Sequence, residues 1–145
     1  MSYLVFIPAR AKSKGIKNKN LKFLKGKPLI SYTLEIANSI SKKIKADIFI
    51  STDSKKIFNY CKKKVKIIDY MRPENLACDK SNIIDSIHHC IEFLKSTDKK
   101  YETIILLQPT SPARKLNELY SAIKFYEKKN LISLASVCRV REHPN

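Results

Sequence analysis

The chain has 145 residues, of which 43% are hydrophobic, a length and composition that suit one compact domain with a single core. Its 29 Lys and Arg residues against 13 Asp and Glu residues give a net charge of +16, which attracts phosphate-bearing ligands. No apolar run approaches the roughly 20 residues that a membrane helix needs, and no signal peptide is visible, so we expect a cytoplasmic protein without a membrane span.

The first predicted element is a strand. The continuous apolar run Tyr3–Ile7 is typical of a strand buried on both faces, and a polar loop follows it from Ala9 to Lys27. The next segment predicts a helix, because its apolar residues share one helical face and Pro28 suits a first-turn position. That face consists of Leu29, Ile36, Ile40 and Ile44.

The middle of the chain continues the alternation of strands and helices. Asp47–Ser51 predicts a second strand, and Ser54–Lys63 predicts a second helix that begins from Asp53 or Ser54. Val65–Asp69 predicts a third strand, after which Tyr70–Lys80 has loop character.

The last part predicts two more helices and two more strands. The most apolar β-branched run is Thr103–Leu107, and Ile132–Val137 predicts a fifth strand. The helical stripes are Ile84, Ile87, Ile91 and Leu94, and then Leu116, Leu119, Ile123 and Tyr126. Alternating strands and helices favour right-handed parallel crossovers. We therefore expect a single α/β domain over residues 1–145, a three-layer αβα sandwich with a mostly parallel sheet.

In such sheets, ligands bind beyond the carboxyl ends of the strands. The loop after the first strand combines cations, hydroxyl and amide side chains, and the chain's glycines, Gly15 and Gly26, lie in it or just after it. This is phosphate-binding chemistry, although dinucleotide and Walker spacings are absent. Arg10 and Lys19 are the strongest candidates, while the other lysines are equally consistent with a solvated surface loop.

Three further loops carry candidate residues. Asp53 would orient a magnesium-bound or sugar hydroxyl group, or Asp53 or Ser54 caps the following helix, which we favour. Gln108–Arg114 contains polar groups that can read a base or sugar edge, and its prolines hold it rigid. Arg72 is a donor in the loop after the third strand.

Cysteines and histidines give no metal-ligand pattern. The cysteines lack CxxC and Cys/His spacing, which argues against a zinc site and a disulfide framework and favours reduced thiols. They are Cys61, Cys78, Cys90 and Cys138. His88 and His89 fall inside a predicted helix, so we expect structural roles, and nothing local supports a site role for His143.

Short segments spread over almost the whole chain carry a family resemblance. They are Ile7-Pro-Ala-Arg10, Ser13-Lys-Gly-Ile16, Lys19-Asn-Leu21, Gly26-Lys-Pro-Leu-Ile30, Ser51-Thr-Asp-Ser54, Arg72-Pro73, Leu76-Ala77 with Asp79, Leu107-Gln-Pro-Thr-Ser-Pro112 with Arg114, and Glu142-His-Pro144. In this order they resemble the acylneuraminate cytidylyltransferases, or CMP-sialic acid synthetases, including relatives that act on legionaminic and pseudaminic acids. Ala113 departs from the family pattern, where leucine is frequent.

The resemblance implies a Rossmann-like nucleotidyltransferase. In its reaction, the anomeric hydroxyl oxygen of a nonulosonic (sialic-acid-like) sugar acid attacks the α-phosphate of CTP, and pyrophosphate leaves. Such transfer is mostly positioning and charge neutralisation. The implied roles are triphosphate binding and catalysis for Arg10 and Lys19, assisted by Ser13, nucleotide contact for Asn20, cytidine contact for Arg72 and Ser81, and sugar-acid contact for Gln108.

The resemblance also implies magnesium, which would bridge phosphate oxygens. In the family, its carboxylate ligands come from a late Asp-x-Asp element that follows a dimerisation segment, whereas this chain has no Asp after Asp98. We therefore assign no metal ligand and expect a domain that is truncated relative to the family. Such a chain would bind CTP weakly and turn over slowly or not at all. The resemblance implies a homodimer for the family, and we leave the oligomeric state of this chain unassigned.

Three alternatives remain. A 3-deoxy-manno-octulosonate cytidylyltransferase shares the fold and reaction type, although Lys19-Asn-Leu21 and Gln108–Pro112 favour the acylneuraminate branch. A second alternative is a non-catalytic fragment that binds nucleotide without turnover. The charge of +16 would also suit a nucleic-acid-binding module, but no aromatic platform or nucleic-acid motif accompanies it, so we expect no nucleic-acid partner.

Overall fold

The computed structural model describes residues 1–11, 15–73 and 82–137. The elements in chain order are β1 (Tyr3–Pro8), a short 3-10 helix (Lys19–Leu21), β2 (Phe23–Leu24), β3 (Lys27–Pro28), α1 (Leu29–Ile44), β4 (Asp47–Ser51), α2 (Lys55–Lys64), α3 (Ile83–Lys95), β5 (Thr103–Leu106) and α4 (Leu116–Lys128).

Strand β1 is the centre of the main sheet, and both of its edges pair with parallel strands. On one side Val5 lies opposite Ile48 of β4, and on the other it lies opposite Ile105 of β5. The chain passes from β1 to β4 and then crosses back to β5 on the far side of β1. Because the strands are parallel, the segments that follow β1, β4 and β5 meet at one edge of the sheet.

Alternate residues of β1 pack against helices on opposite faces of the sheet. Val5 and Ile7 belong to a core formed with α1, α2 and α4, whereas Leu4 and Phe6 belong to a core formed with α3. All four residues are completely buried. The sheet is therefore the middle layer of an αβα sandwich, and the predicted α/β fold is confirmed.

Four helices begin and end close to their predicted bounds. Helix α2 begins from Ser54, whose Oγ accepts a hydrogen bond from the backbone N of Ile57 at 3.3 Å. Helix α3 begins from Asn82 in a capping box with Asp85. No helix within the described ranges combines the length and the apolar character needed to cross a bilayer.

The predicted third strand, Val65–Asp69, is wrong. The backbone N of Ile68 donates to the backbone O of Ile48 at 2.9 Å, but no ladder forms there among the described residues. Ile67 and Ile68 pack into opposite cores, which gives the segment the alternation of a strand without its pairing. The pattern that suggested a strand thus arises from burial on both sides of the sheet.

The predicted fifth strand, Ile132–Val137, is also wrong. The segment is irregular, and Ile132 and Val137 are 101% and 92% exposed. Its apolar and β-branched residues suit a strand, but a strand also needs a neighbour with free backbone donors and acceptors. Within the described residues, no strand pairs with this segment.

The loop predicted from Ala9 to Lys27 contains structure that the sequence did not reveal. Strands β2 and β3 form a hairpin whose turn residues, Lys25 and Gly26, have φ angles of 45° and 87°. Two residues of positive φ are typical of a type I′ turn, which glycine adopts readily. The expected backbone requirement for glycine is therefore met at Gly26.

Truncation of Phe49 tests the packing of the core on the α3 face. The ring is completely buried, and its centroid lies 5.8 Å from that of Phe6 and 4.7 Å from that of Tyr70. We expect Phe49→Ala to lower the free energy of unfolding by about 3–5 kcal/mol in urea titrations, because it leaves a cavity. Phe125→Ala, at a 49% exposed position, is the control and should change it by about 0.5 kcal/mol or less. Equal effects of the two substitutions would contradict this packing.

Candidate functional site

The carboxyl edge of the main sheet is the candidate site. Strand β1 continues into Ala9 and Arg10, β4 into Thr52 and Asp53, and β5 into Leu107 and Gln108. The chain adds a strand on one side of β1 and then on the other, so the switch point of the sheet lies between the carboxyl ends of β1 and β5. Open α/β sheets bind ligands at such a switch point.

Arg72 is a buried cation at the end of β4. Only 6% of the residue is exposed, and its Nε donates to Ser51 Oγ at 2.9 Å while Nη2 donates to the Ser51 carbonyl oxygen at 2.8 Å. Its backbone N donates to the Thr52 carbonyl oxygen at 2.8 Å. These contacts satisfy a charged group that would otherwise be costly to bury, and they fix the chain after residue 70 against β4.

The electrostatic surroundings of Arg72 include two other candidate residues. Burial lowers the pKa of the guanidinium, the carboxylate of Asp53 raises it, and the charge of Arg10 lowers it. The segments that carry Arg10 and Arg72 meet at the Ser51 carbonyl oxygen, which accepts from Ala9 N and from Arg72 Nη2, and Asp53 Oδ1 accepts from Ala11 N. Two guanidinium groups and one carboxylate at a ligand-binding edge favour an anionic ligand that carries more than one charge.

The backbone around Arg10 is held by three hydrogen bonds. The backbone N of Ala9 donates to the Ser51 carbonyl oxygen at 2.9 Å, and the backbone N of Ala11 donates to Asp53 Oδ1 at 2.7 Å. The amide Nδ2 of Asn20 donates to the Arg10 carbonyl oxygen at 3.1 Å. The segment after β1 is thereby tied to β4 and to the short 3-10 helix.

Lys19 and Asn20 reach the site through that 3-10 helix. Asn20 is only 5% exposed, and its side-chain amide donates to the backbone of Arg10. Lys19 beside it is half-buried. The preceding Asn18 has a φ of 53°, which turns the chain into the helix. The bond from Asn20 to Arg10 brings the two segments predicted to bind phosphate into contact.

Gln108 lies at the same edge, next to the end of β1. The backbone N of Leu107 donates to the Phe6 carbonyl oxygen at 3.0 Å, which extends the strand pairing up to Gln108. Gln108 is exposed, and its backbone carbonyl oxygen accepts from Ser111 N at 3.3 Å and from Arg114 Nη2 at 3.4 Å. Burial lowers the pKa of Arg114. Gln108 is therefore held by its backbone while its amide faces solvent.

The structure resolves the alternative roles of Asp53 and Ser54. Ser54 caps α2, whereas the Asp53 carboxylate accepts from the loop after β1. This bridging role was missed because a residue two positions before a helix looks like a cap in sequence. A serine directly before the first helical residue was the available signal, since it caps the helix and leaves the aspartate for another partner.

The remaining candidates fall outside the site or outside the described residues. Ser13 and Ser81 lie outside the described residues, as do Cys78, Asp79, Cys138 and His143. His89 contacts Tyr70 OH through Nδ1 at 2.6 Å, which agrees with a structural role, and His88 is exposed on α3.

The described residues do not form a metal site. No group of three or more His, Cys, Asp or Glu side chains in ranges 1–11, 15–73 and 82–137 is arranged to hold an ion. Asp53 is a carboxylate at this edge of the sheet, and its Oδ1 already accepts from Ala11 N. The donor set at this edge is rich in N–H groups and suits an anion.

Comparison with known proteins gives similar relatives of one kind. The chain is 34% identical over its full length to an N-acylneuraminate cytidylyltransferase of Streptococcus agalactiae, of which it covers 34%. It is 33% identical over 94% of its length to CMP-N,N'-diacetyllegionaminic acid synthase of Legionella pneumophila, of which it covers 59%. A pseudaminic acid cytidylyltransferase of Campylobacter jejuni is 34% identical over 88% of the chain, which spans 53% of that relative.

A solved structure shares the fold. CMP:2-keto-3-deoxy-manno-octonic acid synthetase complexed with CTP superposes with a TM-score of 0.66 at 18% identity, covering 90% of this chain and 49% of that one. The chain thus spans about a third to three fifths of the length of the three curated relatives named above. The sequence pattern of the cytidylyltransferases matches residues 4–141, and the chain therefore belongs to the cytidylyltransferase family.

Proposed function

We propose that this chain is the CTP-binding part of an enzyme that transfers CMP from CTP to a nonulosonic sugar acid. The observation that carries the proposal is that the segments bearing Arg10 and Arg72 meet at the carboxyl edge of the sheet, where the Ser51 carbonyl oxygen accepts from both Ala9 N and Arg72 Nη2. A nucleoside triphosphate is the kind of ligand that two guanidinium groups attract. The names of the relatives at 33–34% identity supply the base and the sugar class.

The proposed reaction is a substitution at phosphorus. The anomeric hydroxyl oxygen of the sugar acid attacks the α-phosphorus of CTP, the bond from that phosphorus to the bridging oxygen breaks, and pyrophosphate leaves while the hydroxyl proton is released. The protein contributes position and charge, because negative charge grows on the leaving pyrophosphate. Cations that are already fixed before the ligand arrives lower the cost of that charge.

The proposed roles follow the two ends of the nucleotide. Arg10 and Lys19 bind the triphosphate and act in catalysis, assisted by Ser13. Gln108, which follows β5 at the switch point of the sheet, contacts the sugar acid. Contacts to the rest of the nucleotide are assigned to Asn20, Arg72 and Ser81. The buried amide of Asn20 adds support of another kind, since it holds the carbonyl of Arg10.

Magnesium remains part of the proposal as the ion expected with CTP, and no step is routed through it. The described residues offer no ligand cluster for it. We propose a cytoplasmic setting, since CTP is supplied there. We assign no oligomeric state to this chain.

A 3-deoxy-manno-octulosonate cytidylyltransferase is the second candidate, favoured by the fold likeness to a synthetase of that sugar class. That likeness has 18% identity and therefore shows the fold alone, whereas the relatives at 33–34% identity carry nonulosonic acids in their names. Formation of the CMP-sugar from each of the two sugar acids, offered with CTP in parallel assays, would separate the candidates.

Nucleotide selectivity tests the proposed function. We expect CTP to raise the melting temperature of the chain more than ATP, GTP or UTP at equal concentration, because a ligand stabilises the state that it binds. Arg10→Ala should weaken CTP binding by about tenfold or more, which is the loss of one charge-assisted contact of about 1.5 kcal/mol.

The matched control for that test is Lys63→Ala, which removes one positive charge from the last turn of α2. It should leave CTP binding unchanged. An equal response to all four nucleotides, or equal losses in the two variants, would reduce the site to a general anion-attracting surface and contradict the proposal.

The geometry of Arg72 gives a separate prediction. Lysine keeps the charge but cannot make the paired contact with Ser51 Oγ and the Ser51 carbonyl oxygen. We expect Arg72→Lys to lower the free energy of unfolding by about 1–3 kcal/mol, because buried acceptors of Ser51 lose a donor, and to weaken CTP binding as well. Chemical denaturation and a CTP titration measure the two effects. Lys66→Arg, at an exposed position six residues earlier in the chain, should change neither, and an Arg72→Lys variant that behaves like it would refute the role given to Arg72.

A further inference from the structure

One peptide unit at the candidate site is held from both ends. The Arg10 carbonyl oxygen and the Ala11 N–H belong to the same planar peptide. The carbonyl accepts from Asn20 Nδ2 at 3.1 Å, and the N–H donates to Asp53 Oδ1 at 2.7 Å. Two hydrogen bonds at opposite atoms of a planar group restrain its rotation, and together with the bond from Ala9 N to the Ser51 carbonyl oxygen they restrain the backbone from which the Arg10 side chain leaves.

The carboxylate of Asp53 also acts on the charges of the site. Arg10 and Arg72 repel each other as neighbouring cations, and Asp53 attracts Arg72. A carboxylate in this position offsets that repulsion before any ligand is bound.

Other residues perform the local structural tasks that would otherwise explain an aspartate here. Ser54 Oγ accepts from Ile57 N at 3.3 Å and caps α2, and Thr52 Oγ1 accepts from Ser54 N at 3.1 Å. The turn into α2 is therefore complete without Asp53. Its carboxylate is left to bridge to the segment after β1, which lies 42 positions away in sequence.

We propose that Asp53 is a positioning residue for Arg10, acting through the Arg10–Ala11 peptide and through its charge. The inference rests on the proposed CTP site and deepens it, because it names what directs Arg10 at the triphosphate. Asp53 itself contacts neither the base nor the sugar in this proposal. Its effect is confined to ligands that carry phosphate.

The experiment compares three ligands, CTP, inorganic tripolyphosphate and cytidine, by calorimetric titration of the chain and its variants. Asp53→Ala should weaken CTP and tripolyphosphate by about tenfold and leave cytidine unchanged, a split that general loosening of the fold would not produce. Asp53→Asn keeps an oxygen that can accept from Ala11 N but lacks the charge. It should therefore recover part of the lost affinity.

Two controls isolate the effect. Asp69→Asn removes an exposed carboxylate that pairs with Lys62, and Ser54→Ala removes the cap of α2. Neither should change the affinity for tripolyphosphate, although Ser54→Ala should lower stability. In an Arg10→Ala background, Asp53→Ala should have no further effect on CTP affinity, because the residue that it positions is gone.

The outcomes separate the inference from the proposed function. Undiminished CTP and tripolyphosphate binding in Asp53→Ala would overturn the inference alone, as would an equal loss for cytidine. Full additivity of the Arg10 and Asp53 substitutions would overturn it too. If the unmodified chain does not bind CTP, the proposed function fails and the inference fails with it.

Discussion

The double burial of β1 is the constraint on which the site depends. Residues Leu4–Ile7 are completely buried between two helical layers, and both edges of the strand are paired. A shift of one residue would exchange Val5 and Ile7 for Leu4 and Phe6 in the two cores, so the register is strongly specified. Arg10 is two residues beyond a strand that cannot slide, and its position is inherited from that core.

Ser51 connects this frame to the charges. Its carbonyl oxygen accepts from both Ala9 N and Arg72 Nη2, which uses the two lone pairs of one buried acceptor. Strand β4 thereby anchors the segment after β1 and the guanidinium of Arg72 at a single point. The guanidinium of Arg72 is thus largely desolvated and is oriented by its bonds to Ser51 before a ligand arrives. The cost of burying that charge is met when the protein folds.

The sequence predicted the strands and helices whose own apolar residues form the core. It failed for segments whose structure depends on pairing with another strand. The runs at β1 and β4 predicted strands because residues buried on both faces are continuously apolar, and the β-branched run at β5 predicted a strand although its residues are only partly buried. Val65–Asp69 makes a backbone bond to β4 but forms no ladder, and Ile132–Val137 has the residue types of a strand without burial. The β2–β3 hairpin is too short to show periodicity. The contact between Asp53 and Ala11 depends on the parallel pairing of β1 and β4, which no local pattern contains.

The decisive measurement is a CTP titration followed by amide and guanidinium NMR signals of the labelled chain. Shifts should concentrate at Arg10, Ala11, Asn20 and the Nε–H of Arg72, at the carboxyl edge of the sheet. The lysine-rich last turns of α1 and α2, at the opposite edge, should stay unchanged. Shifts spread over those lysines with none at Arg10 and Arg72 would show that the chain attracts CTP only as a diffuse anion, which would contradict a built triphosphate site.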